Sequence, residues 1–124
     1  MKNLLDTHTI LWFLNGERLT ANVKEKIQSH PNYISVVSLW EVAIKMNIGK
    51  YTFEGGFTTF LKLIKDNGFD LLPIKDNYME CLFDLPLIHR DPFDRLIVAT
   101  ALVEGMTLIT ADENIQKYDI SWAW

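Results

Sequence analysis

Leu4-Leu5-Asp6-Thr7-His8 ends a short apolar run on an acid, and Leu108-Ile109-Thr110-Ala111-Asp112 repeats that arrangement near the far end of the chain. A short apolar run that stops at a carboxylate and leads into a helical pattern reads as a strand buried on both faces, as in a parallel sheet. In an open parallel α/β sheet, the carboxyl ends of the strands and the amino ends of the following helices face one crevice, where ligands bind. Two more acids hold comparable places: Glu41 in Ser38-Leu39-Trp40-Glu41 and Asp94 in Asp91-Pro92-Phe93-Asp94-Arg95, each in the first turn of an expected helix. Together the four point to a metal site at that edge.

Between these stretches, strand and helix patterns alternate. Asn3 to Leu5 reads as a strand, Thr9 to Asn15 as a helix with Ile10, Leu11, Phe13 and Leu14 apolar, and Ala21 to Ser29 as a helix capped by Thr20 and ended by Pro31. Tyr33 to Val37 is strand-like, and Ser38 is placed to cap a helix that runs to Asn47 with Gly49 as its stop. Phe57 to Asp66 is amphipathic and stops before Gly68, Phe69 to Ile74 is strand-like with Pro73 outside the ladder, and Asp76 to Asp84 is helical. Asp91 and Pro92 open the clearest helix, which runs through Glu104 to Gly105. Thr107 to Thr110 is a strand, Asn114 to Tyr118 a turn or short helix, and Ile120 to Trp122 a final edge strand. The alternation implies one α/β domain over residues 1–124 with a mainly parallel sheet covered on both faces.

Composition bounds the function less than the placement of charge does. The single cysteine, Cys81, excludes an internal disulfide, reads as a buried apolar residue and fits a reducing compartment. No apolar run approaches a bilayer span and the amino terminus lacks a signal peptide's apolar stretch, so a soluble cytoplasmic protein is expected. A net charge of −4 argues against a nucleic-acid partner, because phosphate binding is mainly electrostatic. Setting aside the four acids of the proposed site leaves twelve acids against twelve Lys and Arg, and a bound divalent ion would reverse the local field.

Each acid also has a structural role open to it. Ser38-Leu39-Trp40-Glu41 matches a capping box, Asp91 can cap its helix and pair with Arg95, Asp94 sits where the macrodipole favours an anion, and Asp112 can cap the segment Glu113 to Tyr118. The joint pattern weighs more than any one of these. Two carboxylates 4 Å apart repel by roughly 4 kcal/mol at an effective dielectric of about 20, whereas a cap contributes about 1 kcal/mol. If the four converge, a cation must neutralise them, and an all-oxygen donor set suits Mg²⁺ or Mn²⁺. His8, His30 and His89 lack the spacing of a zinc site, and His89 reads as a loop residue. Thr110 is either a plain strand residue or a hydroxyl that holds a water beside Asp112. No phosphate-binding glycine loop or nucleophile elbow is present.

With these residues identified, the chain resembles the PIN-domain family, and among its members the VapC-like toxins of prokaryotic toxin–antitoxin pairs. Leu4-Leu5-Asp6-Thr7-His8 resembles the family's opening acid and Ser35 to Glu41 its strand, serine and helix-borne glutamate. His89-Arg90-Asp91-Pro92-Phe93-Asp94-Arg95-Leu96-Ile97 resembles a signature with Asp94 as third acid, and Leu108 to Asp112 resembles the fourth. The resemblance implies a three-layer α/β/α domain and a Mg²⁺- or Mn²⁺-dependent endoribonuclease that homodimerises and is inhibited by a cognate antitoxin. It implies Asp6, Glu41, Asp94 and Asp112 as the catalytic set, with Asp6, Asp94 and Asp112 as metal ligands. Lys45, Arg95 and Thr110 are the expected substrate contacts, with Arg90 a weaker one. The rival readings are a PIN fold that only binds RNA or protein, and a receiver-like signalling module. The latter needs an adjacent acid pair after the first strand, which is missing here. Trp12, Phe13, Phe57 and Phe60 are either core or part of a groove for a partner helix or second copy.

Overall fold

Leu4 and Leu5 point to opposite faces of β1 (Asn3–Leu5) and are both fully buried, so this strand has helices on either side. The computed structural model describes residues 1–124. After β1 come α1 (Thr7–Asn15), α2 (Ala21–Gln28), β2 (Asn32–Ser35), α3 (Val36–Asn47), α4 (Gly56–Asp66) and β3 (Asp70–Leu72). Then follow α5 (Asp76–Asp84), α6 (Pro92–Glu104), β4 (Thr107–Ile109), α7 (Glu113–Gln116) and β5 (Trp122–Ala123). The five strands are all parallel, in the order β3-β2-β1-β4-β5. Leu5, Ile34 and Ile109 pack on one face with Ile10, Val23, Ile27, Phe60 and Ile64 from α1, α2 and α4. Leu4 and Leu108 pack on the other with Ile97, Val98 and Ala101 from α6 and Ile115 from α7. The result is a three-layer α/β/α sandwich.

The strand order places the functional edge. From β1 the chain moves outward through β2 to β3, then returns to add β4 on the other side of β1. The sheet's winding therefore reverses between β1 and β4, and a crevice opens beyond the carboxyl ends of those two strands. Asp6 follows β1 directly, and Thr110 to Asp112 follow β4.

Several boundaries differ from the sequence reading, each for a local reason. Helix α1 begins at Thr7 rather than Thr9, because the Asp6 side chain accepts the Thr9 N–H at 2.8 Å. Strand β2 stops at Ser35, not Val37, because Ser35 rather than Ser38 is the cap and accepts the Val37 N–H at 3.1 Å. Helix α3 thus starts early, and Ser38 lies buried inside it, its hydroxyl oxygen 3.0 Å from that of Thr7. The final strand is Trp122–Ala123, not Ile120 to Trp122, because Ile120 turns in to pack on the second core. Phe69 and Ile74 fall outside β3. Gly105 ends α6 at φ 66, a left-handed cap that any side chain would strain.

The aromatic set resolves largely as core. Phe60 is fully buried, Phe57 packs on it at 6.0 Å between ring centroids, and Phe13 packs on Phe69 at 5.4 Å. Only Trp12 of the four stands at a cleft leading to the acids. Cys81 is half-buried rather than buried. Because Ser35 is buried and satisfies an N–H that has no intrahelical partner, Ser35→Ala should destabilise the fold by about 1–2 kcal/mol. Urea denaturation reads this directly, and an unshifted midpoint would show that the cap contributes nothing.

Candidate active site

Asp6 is buried and held from two sides. Its Oδ1 caps α1, and its Oδ2 accepts the hydroxyl of Thr110, at the end of the neighbouring strand β4. Burial pushes its pKa up, against the opposing pull of the Thr110 and Thr9 hydrogen bonds. Thr110 therefore serves to fix Asp6, and its oxygen also accepts the Asp112 N–H at 3.0 Å. Asp112 in turn caps α7, with Oδ1 accepting from the N–H groups of Asn114 and Ile115 at 2.8 and 3.3 Å.

Glu41 does not close a capping box. It sits in the second turn of α3, almost fully buried, with Oε1 accepting the Thr7 hydroxyl at 2.7 Å and Oε2 paired with Lys45 Nζ at 2.6 Å. Partial burial disfavours the charge on Lys45, but the hydrogen bond and charge of Glu41 outweigh it and hold the ammonium well above the usual lysine range. Lys45 also donates to Tyr51 Oη at 3.3 Å.

Asp94 follows the cap Asp91, which accepts the Asp94 N–H at 2.9 Å as its sequence position suggests. Burial, and then the charges of Asp91, Glu41, Asp112 and Asp6, raise the Asp94 pKa to about 8. The charges of Asp6, Glu41 and Asp112, from three other parts of the chain, thus reach Asp94 at the switch-point edge.

The expected substrate contacts separate. Lys45 belongs to the crevice. Arg95 does not pair with Asp91 and is not free for phosphate, because its guanidinium donates to the Pro86 carbonyl and to Tyr118 Oη, both at 2.9 Å. It braces the 85–91 loop from beneath. Arg90 is exposed. Sequence reasoning missed His89, whose Nε2 lies 3.3 Å from Asp94 Oδ2 while Nδ1 meets Tyr118 Oη at 2.9 Å. The signal available was its position five residues before Asp94, on a loop that folds back over the start of α6. His8, exposed at the start of α1 beside Asp6, is a second residue that sequence reasoning leaves without a role.

The donor set is chemically suited to a hard cation but not pre-assembled around one: no three Asp, Glu, His or Cys side chains are arranged to hold an ion as they stand. Each oxygen of Asp6 and Glu41 accepts a hydrogen bond from the protein, whereas Asp94 Oδ1 and Asp112 Oδ2 accept none. The only buried side-chain polar atom without a partner is Asn3 Oδ1, so these two free oxygens are open to solvent. A cleft of about 480 Å³, lined by Asp6, Asp112, His8, Trp12, Glu17 and Arg18, leads to the same edge.

Comparison with known proteins agrees with this architecture. No curated protein matches the chain significantly in sequence. Among solved structures, VapBC2 from Rickettsia felis, bound to a DNA fragment from their promoter, contains a similar chain: TM-score 0.77, 15% identity, covering 99% of this chain and 98% of that one. VapBC-1 from nontypeable Haemophilus influenzae gives a TM-score of 0.72 at 20% identity, covering 99% and 97%. VapBC-5 from Mycobacterium tuberculosis, of the VapBC family of toxin-antitoxin systems, gives 0.65 at 19%, covering 98% and 95%. At these identities the likeness is one of fold. The family model described as PIN domain matches residues 4–121, from within β1 to the residue before β5, and the chain therefore belongs to the PIN domain family.

Proposed function

We propose that this protein is a Mg²⁺- or Mn²⁺-dependent endoribonuclease acting as the toxin of a toxin–antitoxin pair in the cytoplasm. The observation that carries this reading is Asp94, a largely buried acid at the switch-point edge whose pKa is raised to about 8 by burial and then by the charges of Asp91, Glu41, Asp112 and Asp6. Caps alone do not explain it. Asp94 caps nothing, and Glu41 is buried in the second turn of its helix. Likeness of fold to chains in VapBC structures supports the toxin role. No helix is long and apolar enough to cross a membrane.

Asp94 and Asp112 would hold the ion through their free oxygens, with Asp6 completing the set directly or through water. When bound, the ion would lower the pKa of a water and stabilise charge developing on the phosphate oxygens. Thr110 and the Thr9 N–H keep Asp6 aimed at the crevice, so its orientation costs nothing when substrate arrives. Thr7 keeps Glu41 beside it. Lys45 neutralises Glu41 and is the nearest ammonium for a non-bridging phosphate oxygen. His89 limits the rotation of Asp94 from the side opposite its free oxygen.

The antitoxin and a second copy of the chain are the expected protein partners. None of Trp12, Phe13, Phe57 and Phe60 is among the exposed large apolar residues, whereas Trp40 and Ile44 of α3 with its C-cap Ile48 form one exposed stripe at helical spacing, and Met79 and Phe83 of α5 another.

Asp6→Asn and Asp94→Asn should each abolish Mg²⁺-supported cleavage of a labelled RNA while leaving the fold intact or more stable, since each removes one repelling carboxylate. Asp91→Asn should be mild, because asparagine caps as well as aspartate. Either of the first two variants cleaving at the wild-type rate would remove that residue from the site. The thermodynamics of Asp94 offer a separate check. Its folded pKa of about 8 lies above the ordinary 3.8, so the folded state holds a proton that the unfolded chain has released, and its contribution is complete below about pH 4. Without divalent ions, stability should therefore fall between about pH 4 and 8, by on the order of a few kcal/mol. Asp94→Asn should flatten that slope. Added Mg²⁺ should raise the melting temperature more at pH 8 than at pH 5, because only the ionised carboxylate binds it.

A further inference from the structure

We propose that His8, Trp12 and Tyr51 form a stacking track that receives unpaired bases of a single-stranded RNA immediately beside the acidic crevice, an inference that rests on the nuclease reading above. The three rings lie in a row. His8 and Trp12 are 5.6 Å apart between centroids, and His8 and Tyr51 are 5.8 Å apart. The row is rigid at its inner side: Trp124 meets Trp12 edge-on at 5.7 Å, and Tyr51 Oη lies 3.3 Å from His8 Nε2. His8 is exposed, and Trp12 and Tyr51 are half-buried, so they present ring surface to solvent while the core holds their positions.

Two adjoining clefts share this row. The larger runs from Asp6 and Asp112 to Trp12, and a second of about 200 Å³ continues past His8 and Tyr51 to Lys50. A strand lying along them would have one phosphate at the acids and its neighbouring bases over the rings. Cations flank the same path. Arg18 holds its guanidinium 5.5 Å over the Trp12 ring, and Lys45 Nζ lies 5.1 Å from the centre of Tyr51. Arg18 is also the only non-glycine residue with positive φ, at 60, a conformation uncommon for arginine. An entering base displaces Arg18 from the ring, and the freed guanidinium meets the phosphate that follows.

Stacking must provide much of the affinity here, because Glu17 lines the same cleft and repels phosphate, and Asp6 and Asp112 do so too unless a cation is bound. Aromatic rings accept any base, since every base has a π-face, and the combination of rings with flanking arginine and lysine is the chemistry of single-strand recognition. Duplex RNA keeps its bases stacked inside and would gain nothing from the track.

The test is equilibrium binding of a labelled single-stranded RNA and of the same strand made abasic, with Ca²⁺ in place of Mg²⁺, alongside a separate assay of RNA hydrolysis. Wild-type protein should prefer the intact strand by about tenfold or more, and His8→Ala and Trp12→Leu should each weaken its binding by about tenfold while abasic binding changes little, whereas Arg18→Ala, which removes a phosphate contact, should weaken both strands. His8 is exposed, so His8→Ala keeps the test valid if Trp12→Leu fails to fold. Equal binding of both strands by the wild type would overturn the track, as would variants that lose affinity only for a protein partner that copurifies with the chain. Hydrolysis without base preference overturns the track alone, whereas base-dependent binding without hydrolysis supports the track and removes the nuclease reading.

Discussion

A buried carboxylate clamped between two neighbouring parallel strands is the constraint on which this molecule depends. Asp6 ends β1, starts α1 by capping it, and accepts the hydroxyl of Thr110 at the end of β4. Those three duties tie together the two strands between which the sheet reverses its winding. The same contacts set the direction of the carboxylate. Buried polar groups of this kind are costly unless fully hydrogen-bonded, and both Asp6 oxygens have a donor. A site placed at a topological switch point thus needs little beyond the fold to define it.

Around that fixed point the other acids are balanced rather than relaxed. Lys45 offsets Glu41, His89 restrains Asp94, and burial followed by the residual repulsion raises the Asp94 pKa. Such an arrangement costs stability in the protein as it stands, a cost that a cation bound as proposed above would relieve. The protein compensates in its two cores, where Leu4 and Leu108 on one side and Leu5, Ile34 and Ile109 on the other are fully buried. Structural and polar duties are thereby divided along β1 and β4, with leucine or isoleucine in the body of each strand and Asp6 or Thr110 just past its end.

Much of this is legible in the chain because its signals are local. Period, capping and stop residues locate the strands and helices, and the acids after β1 and β4 mark the functional edge from their order in the chain alone. The α/β class and the parallel sheet follow from alternation, since parallel strands require crossover connections. Ambiguity is confined to residues whose local and distant partners compete. Ser35 and Ser38 are both acceptable caps three residues apart, and the choice falls to Ser35 because Thr7, far away in sequence, takes Ser38 into the core.

The tertiary structure alone decided which charged and aromatic side chains belong to the site. Nothing near Arg95 in the sequence shows that the Pro86 carbonyl and Tyr118 hydroxyl consume its guanidinium, or that His89 reaches back to Asp94. Likewise Tyr51 meets His8 only because α1 packs against α3 and the turn that follows it, whereas Trp12 lies one turn from His8 on the same helix. Hydrophobic periodicity and capping act over a few residues and so can be read from order along the chain. Convergence of side chains depends on how whole elements pack, and that is settled only when the layers close around the sheet.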